Sequence, residues 1–155
     1  MLGAIIGDII GSTYEFNNTR DYNFNLFPEG SSYTDDTICT IAIADAILKG
    51  IPYKDSLLDW CRRYRNPMGA YGNMFAQWID ADNPQPYNSF GNGAAITTYL
   101  ATHHNTDYSR QMVLMLAGAA YPIPTELREK ALTYLPEDMK EVIFAFEKKY
   151  CKTKV

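Results

Sequence analysis

Glycine recurs at every fourth position of the apolar segment that opens the chain, at Gly3, Gly7 and Gly11. On a helix, residues at this spacing share one face, so the glycines leave a bare stripe that another helix can approach closely. Because glycine weakens an isolated helix, such a segment needs burial in a tight core to be stable. The opening segment therefore predicts a chain that folds as closely packed helices.

Helical spacing of apolar residues continues along the chain, and no long alternating strand pattern interrupts it. Thr34 or Asp35 can cap the start of the second helix, and Gly50 with Pro52 ends it. Further helices are predicted over residues 34–48, 53–64, 73–79, 94–102, 109–121, 124–134 and 136–150. The predicted fold class is all-α, in one domain over residues 1–155, because 155 residues suit a single domain.

The predicted helices divide their residues between a buried and an exposed side. On the second helix Ile38, Ile41, Ala42, Asp45 and Leu48 share one face, and Ala44, Ala46 and Ile47 widen the apolar surface. On the third helix the pattern turns Leu57, Leu58, Cys61 and Tyr64 inward.

Charge and cysteine content exclude several classes of function. The formal net charge is -4, and binding along a nucleic-acid backbone needs clustered Lys and Arg, so we expect no nucleic-acid partner. The three cysteines form no Cys-x-x-Cys pair and their number is odd, which does not indicate a disulfide framework or a zinc cluster. A reducing, cytoplasmic location is the simplest expectation.

The opening segment lacks a basic region and is interrupted by Asp8, so we expect neither a signal peptide nor a membrane span.

Two adjacent carboxylates flanked by hydroxyls, Thr34-Asp35-Asp36-Thr37, stand where a loop meets a predicted helix. They supply hard oxygen ligands of the kind that Mg²⁺ or Mn²⁺ prefers, with water completing the coordination. The same residues also suit an N-cap followed by acidic side chains that interact favourably with the helix dipole. Taken alone, the tetrapeptide favours the capping interpretation, because acidic caps are common.

Two further features have a functional and a structural interpretation. Glu15 follows the opening helix beside aromatic residues, where a carboxylate could act as a general base, orient a sugar hydroxyl or simply be hydrated. A glycine-rich turn leads into a predicted helix, where bare backbone amides can bind a diphosphate, or where glycine merely provides a tight loop. The residues of this turn are Ser89, Phe90, Gly91, Asn92 and Gly93.

Together and in this order, the motifs resemble the ADP-ribosylglycohydrolase family. Its N-terminal pattern is a Gly-Asp helix, a Glu-Phe pair, a Thr-Asp-Asp-Thr motif, a Tyr-Gly-x-x-Phe-x-x-Trp stretch and a Ser-Phe-Gly-Asn-Gly loop. Besides the motifs quoted above, the matching residues are Gly7, Asp8, Phe16, Tyr71, Gly72, Phe75 and Trp78. The resemblance covers residues 1 to about 96, and residues 117–150 resemble the closing helices of the family.

The resemblance implies an all-α bundle around one or two Mg²⁺ (or Mn²⁺) ions. Its chemistry would be hydrolysis of the glycosidic bond between ADP-ribose and a protein or a small-molecule acceptor. By this match Thr34, Asp35 and Asp36 would bind metal, Glu15 and Asp36 would be catalytic, and the turn over residues 89–93 would bind the substrate. The implied partner is an ADP-ribosylated protein or an ADP-ribose-like small molecule.

The distal metal motif of the family, Gly-Gly-Asp-Thr-Asp-Thr, is only partly matched. The aligned residues 103–108 retain Thr106 and Asp107, whereas Asn105 replaces the first carboxylate and Tyr108 the last hydroxyl. The resemblance therefore implies Asp107 and Asn105 as distal ligands, with less negative charge to hold a second ion. Family members also have more helices before this motif, so we infer an internal deletion near residues 96–99.

Three functions remain open at this point. Deleting core helices exposes apolar surface, so the shortened bundle would have to repack, form a homo-oligomer or aggregate. The chain would then be a metal-dependent hydrolase with weakened activity, a non-catalytic module that binds ADP-ribose or a nucleotide, or an inactive fragment.

Overall fold

The computed structural model describes residues 1–15, 17, 19–21, 23–87 and 123–151. Within these ranges every regular element is a helix, which confirms the all-α class. The helices are α1 (Leu2–Gly11), α2 (Asp35–Lys49), α3 (Tyr53–Arg63), α4 (Asn73–Asp80), α5 (Thr125–Leu132) and α6 (Glu137–Tyr150). The two helices predicted over residues 94–102 and 109–121, and the inferred deletion near residues 96–99, lie outside the described residues.

Helix α2 begins and ends as its sequence predicts. Thr34 is the N-cap residue in an extended conformation, and its side chain accepts a hydrogen bond from the backbone N–H of Asp36. At the other end Gly50 takes a left-handed conformation, with φ of 68°, and donates its N–H to the Ala46 carbonyl. Other residues rarely adopt this conformation, which explains why a glycine stands here. The left-handed conformation of Gly50 ends α2 before α3 begins.

The core lies where α2 packs against three other helices. α2 contacts α1, α3 and α6, and α1 also contacts α5. The largest fully buried apolar side chains come from α1, α2, α4 and α6, and fully burying one such side chain stabilises the fold by about 1.5–3 kcal/mol. These side chains are Ile5, Ile9, Ile38, Ile41, Ile79, Met139 and Ile143. This core holds the start of α2 firmly against the end of α1.

Where α2 and α3 pack together, the burial of two side chains differs from the prediction. Ile47 was predicted to widen the apolar surface, but it is 39% exposed. Trp60 was not predicted to face inward, but it is buried and donates its indole N–H to Asp45. The buried hydroxyl of Ser56 adds a hydrogen bond to the Ala42 carbonyl. A polar seam therefore joins α2 to α3 beside the apolar core.

Two of the exclusions drawn from the sequence can be compared with the structure. Cys39, Cys61 and Cys151 are all free thiols in the structure. In the part of the chain that the structure describes, every helix is too short or too polar to span a bilayer.

Candidate active site

Four carboxylates lie near one another where the end of α1 meets the start of α2. Asp8 lies on α1, Glu15 follows α1, and Asp35 and Asp36 form the first turn of α2. Their proximity shows in their electrostatics, because Asp8 and Asp36 each raise the pKa of both Glu15 and Asp35. We call these four residues the acidic cluster.

Asp8 is the buried member of the acidic cluster and joins α1 to α2. One of its carboxylate oxygens accepts the hydroxyl proton of Thr34, and the other accepts the hydroxyl proton of Thr37. The backbone N–H of Thr34 also donates to Asp8 Oδ2, over 2.9 Å. A buried carboxylate is costly unless it is hydrogen-bonded, and these three donors satisfy the requirement. They also hold the first turn of α2 in place.

The protonation of Asp35 is strongly shifted by its surroundings. Burial, together with the charges of Asp36 and Asp8, raises its pKa from 3.8 to about 6. Asp36 is exposed, yet partial loss of hydration together with the charge of Asp8 raises its pKa as well. Placing the two carboxylates side by side at this spot is therefore unfavourable unless a proton or a cation neutralises them.

Glu15 lies at the solvent side of the acidic cluster. It is exposed, but partial burial and the charges of Asp36 and Asp8 raise its pKa. A carboxylate with a raised pKa binds a proton more readily, which suits a group that takes up and gives back a proton.

A tight turn over residues 67–70 forms one wall of the acidic cluster. The Ala70 N–H donates to the Pro67 carbonyl over 3.1 Å, and Gly69 has a φ of 80°. Met68 pairs with Thr34 in an isolated parallel bridge, and the turn therefore lies beside the N-cap of α2. A methyl group on Gly69 would stand 3.5 Å from Glu15 Oε2, so the turn also contacts the cluster directly.

A family model described as ADP-ribosylglycohydrolase matches residues 1–141. The chain belongs to the ADP-ribosylglycohydrolase family. No curated protein and no solved structure matches the chain. Membership of the ADP-ribosylglycohydrolase family indicates hydrolase activity on ADP-ribosyl groups in general.

The structure of this ADP-ribosylglycohydrolase family member brings some of the predicted site residues together. Thr34, Asp35, Asp36 and Glu15 all lie at the acidic cluster. The other predicted residues lie outside the described residues: Ser89, Phe90, Gly91, Asn92, Gly93, Asn105 and Asp107. Their positions relative to the acidic cluster stay predictions.

The oxygen atoms of the acidic cluster suit a hard cation, but they do not form a complete set of ligands. Carboxylates and hydroxyls are the ligands that Mg²⁺ and Mn²⁺ prefer. Across residues 1–87 and 123–151, apart from the few positions left undescribed there, no three acidic, histidine or cysteine side chains form a group that could hold a metal. In this family member a cation at Asp35 and Asp36 would therefore need ligands from elsewhere in the chain, from water or from substrate.

Sequence reasoning missed the roles of Asp8 and Gly69. Asp8 matched the Gly-Asp pattern of the family, but the sequence assigned it no partner. An acid within an otherwise apolar helix was the available signal, because a buried charge needs hydrogen-bond donors. Gly69 lies between the helices predicted over residues 53–64 and 73–79, and only the packing of this segment shows that it lies beside Glu15.

Proposed function

We propose that this chain is a divalent-cation-dependent hydrolase that cleaves the glycosidic bond between ADP-ribose and a protein or small-molecule acceptor. The observation that carries the proposal is the proximity of Glu15, Asp35 and Asp36 at a helix start that Asp8 holds in place. Membership of the ADP-ribosylglycohydrolase family supports the reaction class.

Three residues of the described chain would hold Mg²⁺ or Mn²⁺: Thr34 through its hydroxyl, and Asp35 and Asp36 through their carboxylates. Asn105 and Asp107 are the proposed distal ligands, for one ion or two. When bound, the cation would polarise a substrate oxygen and position water. Its charge would also relieve the repulsion that raises the pKa of Asp35.

Glu15 is the proposed acid–base residue. Its carboxylate is open to solvent and therefore to substrate, and its raised pKa favours proton uptake. Asp36, which is also exposed, would contribute to catalysis beside its role as a ligand. In this proposal the turn with Ser89, Phe90, Gly91, Asn92 and Gly93 binds the diphosphate through its backbone amides. The proposed location is the cytoplasm.

The direct test measures Mg²⁺- or Mn²⁺-dependent release of ADP-ribose from ADP-ribosylated protein. Glu15→Gln keeps the size of the side chain but removes its acid–base chemistry, so we expect a loss of about 100- to 10,000-fold in kcat. Asp36→Asn should abolish release by removing a proposed ligand. Asp82→Asn removes an exposed carboxylate from the loop after α4 and should leave release unchanged. Absence of release by the unmodified chain at high concentration, with either cation, would contradict the proposal.

A non-catalytic module that binds ADP-ribose or a nucleotide is the second candidate. The replacement of a family aspartate by Asn105 favours it, as does the lack of a complete metal group among the described carboxylates. Calorimetry with ADP-ribose, with and without Mg²⁺, separates the two functions. Binding without turnover favours the module, whereas absence of binding under both conditions contradicts it.

A further inference from the structure

Asp8 is hydrogen-bonded to the residues that begin α2, beside the proposed cation site. Among the described residues, three donors bond to Asp8; all come from the start of α2, and two of them come from Thr34. We propose that Asp8 is a positioning residue that turns the Thr34 hydroxyl so that a lone pair of its oxygen faces the cation. This inference rests on the proposed function, because it concerns the same cation site.

The hydrogen bonds that Thr34 makes within the described part of the chain leave its hydroxyl oxygen with one free lone pair. A hydroxyl has one proton and two lone pairs. The proton of Thr34 points to Asp8 Oδ1, and one lone pair accepts the N–H of Asp36 at 3.3 Å. The second lone pair remains for a ligand. If the proton instead pointed into the acidic cluster, it would repel a cation there, so the bond to Asp8 is what permits coordination.

Asp8 also sets the backbone that bears the two proposed carboxylate ligands. The Thr34 N–H donates to Asp8 over 2.9 Å, and Thr37 donates its buried hydroxyl to the same carboxylate oxygen. These bonds bracket Asp35 and Asp36 on both sides. A change at Asp8 should therefore disturb all three ligands on this helix together.

Asp45 provides a matched control on the same helix. It is a buried carboxylate on α2, and like Asp8 it accepts hydrogen bonds from side chains of other residues, namely Trp60 over 2.9 Å and Lys49 over 2.7 Å. Asp45 lies near the opposite end of α2 from the acidic cluster. Asp8→Asn and Asp45→Asn therefore both remove a buried charge, but only the first removes it from beside the proposed ligands.

The test is calorimetric titration of Mg²⁺, and separately Mn²⁺, into the full chain and the two variants. Hydrogen-bond partners of metal ligands typically contribute about 10- to 100-fold to metal affinity, and we expect a loss of this size for Asp8→Asn. Asp45→Asn should lower the melting temperature but leave the cation affinity unchanged. Circular dichroism confirms that each titrated variant is folded.

If Asp8→Asn does not fold, Thr37→Val tests the same network with the charge of Asp8 intact. It removes one donor to Asp8 and should weaken cation binding, whereas Ser56→Ala, which removes a buried hydroxyl of α3, should not. If folded Asp8→Asn binds the cation as tightly as the unmodified chain, the positioning role is overturned but the cation site stands. Where Asp8→Asn does not fold, the same result for folded Thr37→Val has the same meaning. If the unmodified chain binds neither cation, the proposed cation site fails and the positioning role fails with it.

Discussion

Gly69 lies against the carboxylate of Glu15, so that a methyl group in place of one of its hydrogens would stand 3.5 Å from Oε2. The glycine also has a φ of 80°, a conformation that side chains disfavour. Gly30 has a similar φ of 87°, but a methyl group there would have no neighbour within 4 Å. The two glycines therefore separate the effect of backbone strain from the effect of the contact with Glu15.

We expect Gly69→Ala to raise the pKa of Glu15 further, because the added methyl group displaces water from beside the carboxylate. Gly30→Ala should leave that pKa unchanged. Both variants should lose about 1–2 kcal/mol of unfolding free energy from the strained backbone. Carbon-detected NMR titration of Glu15 measures the pKa, and urea unfolding measures the stability. An equal rise in both variants would show that the contact has no effect on Glu15.

The metal-free chain should lose stability as the pH rises through the range in which Asp35 titrates. Folding raises the pKa of Asp35 from 3.8 to about 6, so between these values the folded state binds more protons than the unfolded state. The contribution of Asp35 to the free energy of unfolding therefore falls across this window and stays low above it.

Asp35→Asn isolates this contribution. The variant carries no charge at position 35, so it should gain stability relative to the unmodified chain above about pH 6 and little below about pH 4. Urea unfolding in chelator-treated buffer across this range gives the difference, in which other titrating groups largely cancel. A difference that does not vary with pH would contradict the raised pKa.

Added Mg²⁺ should raise the melting temperature more above about pH 6 than below about pH 4, because Asp35 then carries a charge that the cation can neutralise. Screening by salt also relieves repulsion, so NaCl at equal ionic strength is the control. Asp36→Asn should reduce the magnesium-specific part of the shift. If NaCl reproduces the whole shift, the cation acts by screening alone.

Tyr64 and Asp138 provide a prediction away from the site. Tyr64, the C-cap residue of α3, donates its hydroxyl to Asp138 on α6 over 2.6 Å, and Arg63 pairs with the same carboxylate over 3.0 Å. Burial works against the charge of Asp138, but these hydrogen bonds outweigh it and lower the pKa of Asp138. The stabilisation is therefore present at neutral pH and is lost as the pH falls through the folded-state pKa.

Tyr64→Phe should cost about 1–2 kcal/mol of unfolding free energy at neutral pH, since it removes a hydrogen bond to a charged group. The cost should shrink in acid, where Asp138 is protonated. Tyr53→Phe, which changes an exposed tyrosine at the start of α3, should have little effect at any pH. Guanidinium unfolding at neutral and acidic pH measures both variants, and an equal cost at both pH values would contradict the interpretation.

The helix boundaries could be predicted because local chemistry sets them. Thr34 caps α2 through a bond to a residue two positions away, and Gly50 ends α2 by its own backbone conformation. The buried faces were predicted less well. Trp60 is buried by the α2 surface that it meets, and Ile47 is exposed although its residue type favours burial. Periodicity locates an apolar stripe, but the neighbouring helices decide how wide the covered part is.

The sequence by itself determined the all-α class, the helix starts and ends, and the acidic residues that the family motif names. Only the tertiary structure decided that Asp8 holds Thr34, and that Gly69 lies against Glu15. The physical reason is the range of the forces involved. Capping and helix periodicity act within one or two turns of chain, whereas a site assembled from residues 8, 15, 34–36 and 69 depends on how α1, α2 and a distant loop pack together.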